Sequence, residues 1–171
     1  MRRDRRRSGR LRTVTAIVAL AMAVALMACA PHPEPIVYGE DVCAHCRMVI
    51  ADERYGAELV TTKGRVLKFD SIECLADYVL HEADAADIHS LWVTGFEQPR
   101  VLIRIEDAIF LHSPALRSPM GANLTAFHAG GTTAAALLDE HGGAVLEWDE
   151  VLRLVELEPP GTGMMHDAVR P

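Results

Sequence analysis

Two cysteines, a histidine and a methionine fall inside six positions, Cys43-Ala44-His45-Cys46-Arg47-Met48. Thiolate and thioether together suit a soft ion such as Cu(I), and imidazole is compatible with copper or zinc. Cys46 and Met48 are two residues apart, so on an extended strand their side chains leave the same face. That spacing makes Cys46 and Met48 candidate metal ligands. Cys46 is the strongest, because its thiolate supplies both charge and soft sulfur and the adjacent Arg47 favours the anion. Met48 also runs into Val49-Ile50, where a packed methionine is the competing role. Three roles stand open for Cys43: ligand, partner of Cys46 in a reversible disulfide, or structural residue. Met120 sits in the loop Ser118-Pro119-Met120-Gly121, flanked by proline and glycine rather than by an apolar stripe. His45 is the histidine nearest the cysteines, while His112 and His128 flank the Met120 loop. A labile imidazole among these three would help a soft site release its ion. Cys74, beside apolar residues, reads as a buried structural thiol.

These residues must be carried by something, and the address comes first. Seven arginines at positions 2, 3, 5, 6, 7, 10 and 12 precede an apolar run from Val14 to Ala28. A basic head, a short apolar core and small residues before a cysteine make an export signal. The run is short for a membrane span, which takes about 20 apolar residues. Leu26-Met27-Ala28-Cys29 resembles a bacterial lipobox, which implies cleavage before Cys29 and its acylation, with an uncleaved signal anchor as the alternative. Residues 1–28 hold those seven arginines and one aspartate, so the whole-chain net charge of −7 becomes −13 for the remaining 143 residues. That acidity argues against nucleic-acid binding, which needs clustered Lys and Arg on phosphates. With Cys29 assigned to lipid, Cys43, Cys46 and Cys74 are an odd number, so disulfide stapling is not their obvious task.

The pass along the rest predicts an α+β chain. Residues 29–37 form a lipidated, proline-rich tether that holds the domain off the membrane. Ala57–Thr62 and Arg65–Asp70 are short apolar runs around Lys63-Gly64, a hairpin. Ser71 is the expected N-cap of a helix with the stripe Ile72, Leu75, Ala76, Val79 and Leu80. His89–Phe96 returns as a strand. Arg100–Ile105, Ala108–His112 and Asn123–His128 are strand-like, a helix follows from Thr133 to Glu140, and Val145–Trp148 is a strand leading into a short helix. Strand, strand, helix, strand thus appears twice, giving a domain at 38–157 made of two ββαβ units, 38–97 and 98–157. Residues 158–171, rich in proline and glycine, are expected to be disordered.

The lipobox, Cys43-x-x-Cys46-x-Met48, Phe69-Asp70-Ser71-x-x-Cys74 and Ser118-Pro119-Met120-Gly121 together resemble the NosL family of copper-binding lipoproteins associated with nitrous oxide reductase assembly. The resemblance spans Tyr38 to Trp148. It implies two related ββαβ units, distantly similar to organomercurial lyase. It also implies Cu(I) binding on the bacterial periplasmic side and delivery toward apo nitrous oxide reductase with an ABC-transporter complex, and it favours Met120 as a ligand. The chain departs from the family at Arg47, where glycine is common. Two other functions compete. An exported thiol-disulfide redox protein would use Cys43 and Cys46, but such motifs sit at a helix N-terminus and here the chain leads toward strands. A structural zinc module would use Cys43, Cys46, Cys74 and a histidine, but leaves Met48 and Met120 unexplained. Neither a nucleophile elbow nor a phosphate loop is present, so an accessory metal carrier rather than an enzyme is the expectation.

Overall fold

The computed structural model describes residues 30–131 and 133–160. The export leader, Cys29 and the Met164-Met165-His166 stretch of the tail lie outside the described residues.

Two short strands, β1 (Ala57–Thr61) and β2 (Val66–Phe69), form the expected hairpin. Its tip needs Gly64, whose φ of +80° is costly for residues with a side chain. Asp70 then leaves the strand, and Ser71 caps α1 (Ile72–His81) by accepting from the Cys74 backbone N–H at 3.3 Å. Ile72, Leu75 and Ala76 turn inward, and the chain returns along β3 (Ile88–Gly95) on the far side of β1. The first unit is therefore a sheet of order β2-β1-β3 with its helix between the second and third strands.

A second unit repeats that order. Strands β5 (Ala108–His112) and β6 (Leu124–His128) pair antiparallel, α2 (Ala134–His141) follows, and β7 (Ala144–Leu146) joins the other edge of β5. The halves meet where β3 and β6 run parallel through Gly95 and Ala126, giving β2-β1-β3-β6-β5-β7. The strand at Gln98–Arg104, β4, belongs to neither repeat and pairs back on β3. A final helix, α3 (Trp148–Leu157), opens with Glu150 accepting from the Glu147 N–H at 2.9 Å. It packs Val151 and Val155, one turn apart, into the same core as α1.

The proline-rich segment is docked on this fold from Glu34 onward. Its Glu34 N–H donates to the buried Glu58 carboxylate on β1 at 3.0 Å, the Pro35 carbonyl accepts from Lys68 at 2.9 Å, and Ile36 is buried. Gly56 permits this approach, since a Cβ there would lie 2.7 Å from Ile36 and from the Tyr38 hydroxyl. With Glu58 alternating against Ala57 and Leu59, both faces of β1 are covered. Burial raises the Glu58 carboxyl to about 7.

Candidate metal centre

The cysteine stretch is a small hairpin laid across the end of the first unit. Val42 and Val49 form an antiparallel bridge, and Gly39 N–H to Ile50 O (2.8 Å) and Ile50 N–H to Asp41 O (2.9 Å) close its base. At its tip Cys43 N–H donates to Met48 O at 2.8 Å, and Arg47 N–H to Cys43 O at 3.2 Å. The tip is held to β2 by Ala44 N–H donating to Lys68 O at 2.8 Å. Lys68 further grips the base through Asp41 at 2.6 Å.

Cys46 and Met48 therefore do not share one extended strand. Residues 44–46 are a turn, and Arg47 between them adopts φ +65°, the left-handed conformation for which glycine is the natural residue. Cys46 points into half-buried surroundings, whereas Met48 is 44% exposed.

The turn brings Cys43 and Cys46 against Cys74, the third residue of α1. Their three sulfur atoms all lie within 4.8 Å of one another, and all three cysteines are free thiols. An ion bonded equally to three sulfurs at about 2.3 Å would hold them about 4 Å apart, so the donor set fits a soft metal without rearranging the backbone. Cys43 and Cys74 are fully buried, and Cys46 alone of the three reaches solvent.

Charge on this cluster is concentrated at Cys43. Its thiol is held well below the ordinary value, first by the Cys74 S–H donating to it, and further by backbone N–H groups of Asp70, Cys46 and His45; burial opposes them. Cys74 moves the other way because it gives its hydrogen to Cys43 and is buried, and Cys46 is raised chiefly by burial. Three backbone donors around one buried sulfur are arranged for a thiolate. Nearby, burial and then the Cys43 charge raise the buried Asp70 carboxyl to about 6.

The other expected ligands fall in different places. Met120 is buried, 7% exposed, in the core that also holds Cys43 and Cys74. Its loop is pinned to the residue beside Cys74: the Ser118 hydroxyl donates to the fully buried Glu73 carboxyl and accepts from Asn123 N–H at 2.9 Å. His45, although in the turn, has both ring nitrogens engaged by carboxylates of the α1 end, Nδ1 with Glu82 at 3.0 Å and Nε2 with Asp77 at 3.1 Å. His112 lies on β5, paired with Leu124 and Ala144. His128 ends β6, exposed, with Nδ1 accepting from Gly130 N–H at 3.0 Å. Among the described residues, the three cysteines are the one group of His, Cys, Asp or Glu gathered this closely, and no histidine belongs to it.

Cys74 is the residue that sequence reasoning placed in the core and not in the site. It is both, buried and within the sulfur cluster. The available signal was positional: Phe69-Asp70-Ser71 puts an N-cap three residues before Cys74, so its thiol issues from the first turn of a helix.

Comparison with known proteins gives a consistent picture. The NosL family model matches residues 36–155. A search of curated proteins finds no match. Among solved structures, the chain resembles the copper chaperone NosL from Shewanella denitrificans, with 22% identity and a TM-score of 0.60 over 70% of this chain and 95% of that one. The two share the fold.

Proposed function

The chain belongs to the NosL family, and from that premise we propose that it is a membrane-tethered periplasmic Cu(I) metallochaperone. The observation that carries this reading is the packing of three cysteine sulfurs within 4.8 Å at the meeting of the hairpin and α1. Sulfur donors of this kind select Cu(I) over harder ions. In this reading Cys46 is the part-exposed ligand, Cys43 and Cys74 are the buried ones, and Met48 and Met120 are the thioethers proposed to complete the site. The name of the structural neighbour, a copper chaperone, supports the same cargo. Cys29 is the proposed lipid anchor, and apo nitrous oxide reductase with its ABC-transporter complex the proposed destination, both resting on the family resemblance. Copper is cargo in this reading, and the chain is not an enzyme.

The test is an anaerobic titration of the reduced protein with Cu(I), followed by copper-edge absorption spectroscopy. One Cu(I) per chain with sulfur neighbours is expected, and Cys46→Ser should nearly abolish it. A second reading is favoured by the backbone donors around the Cys43 sulfur, which would equally suit a structural Zn(II). Tight Zn(II) binding that Cu(I) fails to displace would replace the carrier with that zinc module.

A further inference from the structure

Behind the more exposed Cys46 the cluster keeps two fully buried thiols. Cys43 and Cys74 are each 0% exposed, and their sulfurs lie within 4.8 Å of each other. They come from different elements, the hairpin turn and the first turn of α1, whose backbones are fixed by the Cys43–Met48 bond and the Ser71 cap. Cys46 is the sulfur that an ion arriving from solvent meets first, beside the exposed Met48. The Cys43 and Cys74 sulfurs, within 4.8 Å of each other, would have to close to the roughly 2.05 Å of a disulfide. The cluster thus holds a two-electron reserve directly behind its entry ligand.

We propose that this chain reduces Cu(II) as it loads, with Cys43 and Cys74 supplying the electrons and Cys46 retaining one of the Cu(I) ions formed. The balance is two Cu(II) plus the Cys43 thiolate and the Cys74 thiol giving two Cu(I), one disulfide and one proton. The Cys74 S–H bond breaks with its proton leaving to solvent, each of the two sulfurs surrenders one electron to copper, and the Cys43–Cys74 S–S bond forms. Cu(II) is the oxidant and no other is required. The reaction is stoichiometric, one event per reduced chain. Cys46 is not oxidised; it gives up its proton as it takes one Cu(I) and, with a methionine thioether, holds that ion in a site of low coordination number. This inference rests on the carrier reading, because it uses the same sulfurs.

The experiment uses the full chain carrying Cys29→Ser, so that three thiols remain. Cupric sulfate is added anaerobically to the reduced protein, Cu(I) is trapped with a colorimetric chelator, free thiols are counted, and the disulfide is located by peptide mass spectrometry. Two Cu(I) per chain, a fall from three free thiols to one, and a Cys43–Cys74 cross-link are expected. Cys74→Ser should slow Cu(I) formation at least tenfold. Cu(I) supplied directly, in a parallel titration, reads the carrier site by itself. A protein that binds Cu(I) but loses no thiols to Cu(II) overturns the reduction alone. A Cys43–Cys46 cross-link, or a Cys74→Ser protein as fast as its parent, overturns the assignment of the electron-donating pair. Failure to bind Cu(I) in the parallel titration overturns the carrier reading.

Discussion

The two ββαβ units share one strand order and even one helix cap, yet only the first gathers sulfur. Ser71 accepts from the N–H of Cys74 at 3.3 Å, and Thr133 accepts from the N–H of Ala136 at 3.2 Å. The two helices therefore begin alike, and the residues that follow the caps differ: Ile72-Glu73-Cys74 in α1, Ala134-Ala135-Ala136 in α2. Their burial differs accordingly. The first five residues of α1 are all buried, while α2 buries Leu137. The first unit is also preceded by the cysteine hairpin, which covers the start of α1. A repeated scaffold supplies the position, and side chains at three places turn one copy of it into a candidate metal centre.

The most direct way to break this asymmetry is to give α1 the residue that α2 has. Cys74→Ala should lower Cu(I) affinity by at least about 100-fold, since removing a ligand exceeds the 10–100-fold that outer-shell partners are worth. The loss to stability should be about 1 kcal/mol, as a small buried hydrophobe is exchanged for a smaller one. The reciprocal change, Ala136→Cys, should add no second copper to the one bound by the first unit, because α2 has no cysteine hairpin over its first turn. Competition titration against a Cu(I) chelator reads both. If Cys74→Ala binds like the parent, the site consists of Cys43 and Cys46 and the methionines.

Next in size is the neighbouring pair, Glu73 in α1 against Ala135 in α2. Glu73 is fully buried, burial raises its carboxyl, and it accepts from the Ser118 hydroxyl while lying 3.5 Å from the Leu124 N–H. It holds the Met120 loop to α1. Glu73→Ala should cost about 2–4 kcal/mol by leaving a cavity and unpaired donors. Glu73→Gln keeps an acceptor for Ser118 and should cost under about 1.5 kcal/mol. Denaturant midpoints compare the two. Equal losses would mean that the cavity alone matters and the loop is held by other contacts.

A smaller contrast concerns pH. Glu58 on β1 is raised to about 7, and its neighbouring donor is the Glu34 N–H. Because the folded value lies above the unfolded one, the native state keeps a proton that the unfolded chain gives up. The stability is therefore fully present below about pH 4 and lost as pH rises toward 7. Glu58→Gln should flatten that part of the stability–pH curve. An unchanged slope between pH 4 and 7 would assign it to other carboxyls, with Asp70, raised to about 6, the first candidate.

What the sequence made legible follows from which forces are local. Lys63-Gly64 marked a hairpin because a left-handed turn residue is a property of glycine itself, and Ser71 marked a helix start because its hydroxyl reaches only three residues on. The duplicated strand order was visible, but β4 could not be set aside as an extra strand. Apolar alternation gives a strand's faces and not its neighbours, and β4 pairs with β3 instead of joining β5. Within the site, Cys43 and Cys46 were evident from proximity in the chain. Cys74, 28 positions further on, was hidden by its flanks: Leu75 and Ala76 read as core, and a ligand buried in core has the same pattern. The strand geometry expected for Cys46 and Met48 failed at Arg47, whose residue type gives no warning of a left-handed backbone. His45 looked like a ligand by position, while the carboxylates that engage its ring lie at Asp77 on α1 and at Glu82, the residue that caps its C-terminus.

The smallest predicted effect comes from that same Arg47, in the hairpin that distinguishes the first unit. A left-handed residue with a side chain costs about 1–2 kcal/mol, and glycine adopts the conformation freely. Glycine also gives the unfolded chain more freedom, worth about 0.4–1 kcal/mol in the opposite direction. The guanidinium is exposed, with no ion pair among the described residues, so little offsets the backbone term. Arg47→Gly should therefore stabilise the protein by about 0.5 kcal/mol, a rise of roughly 1–2 °C in the midpoint of thermal unfolding. Arg47→Ala, which keeps the backbone strain and removes the charge, separates the two contributions. It should show no such rise. If the glycine protein melts lower than the parent, the arginine side chain holds the hairpin through its own contacts. The strain at φ +65° would then be offset by packing of the hydrocarbon stem over the Cys46 turn.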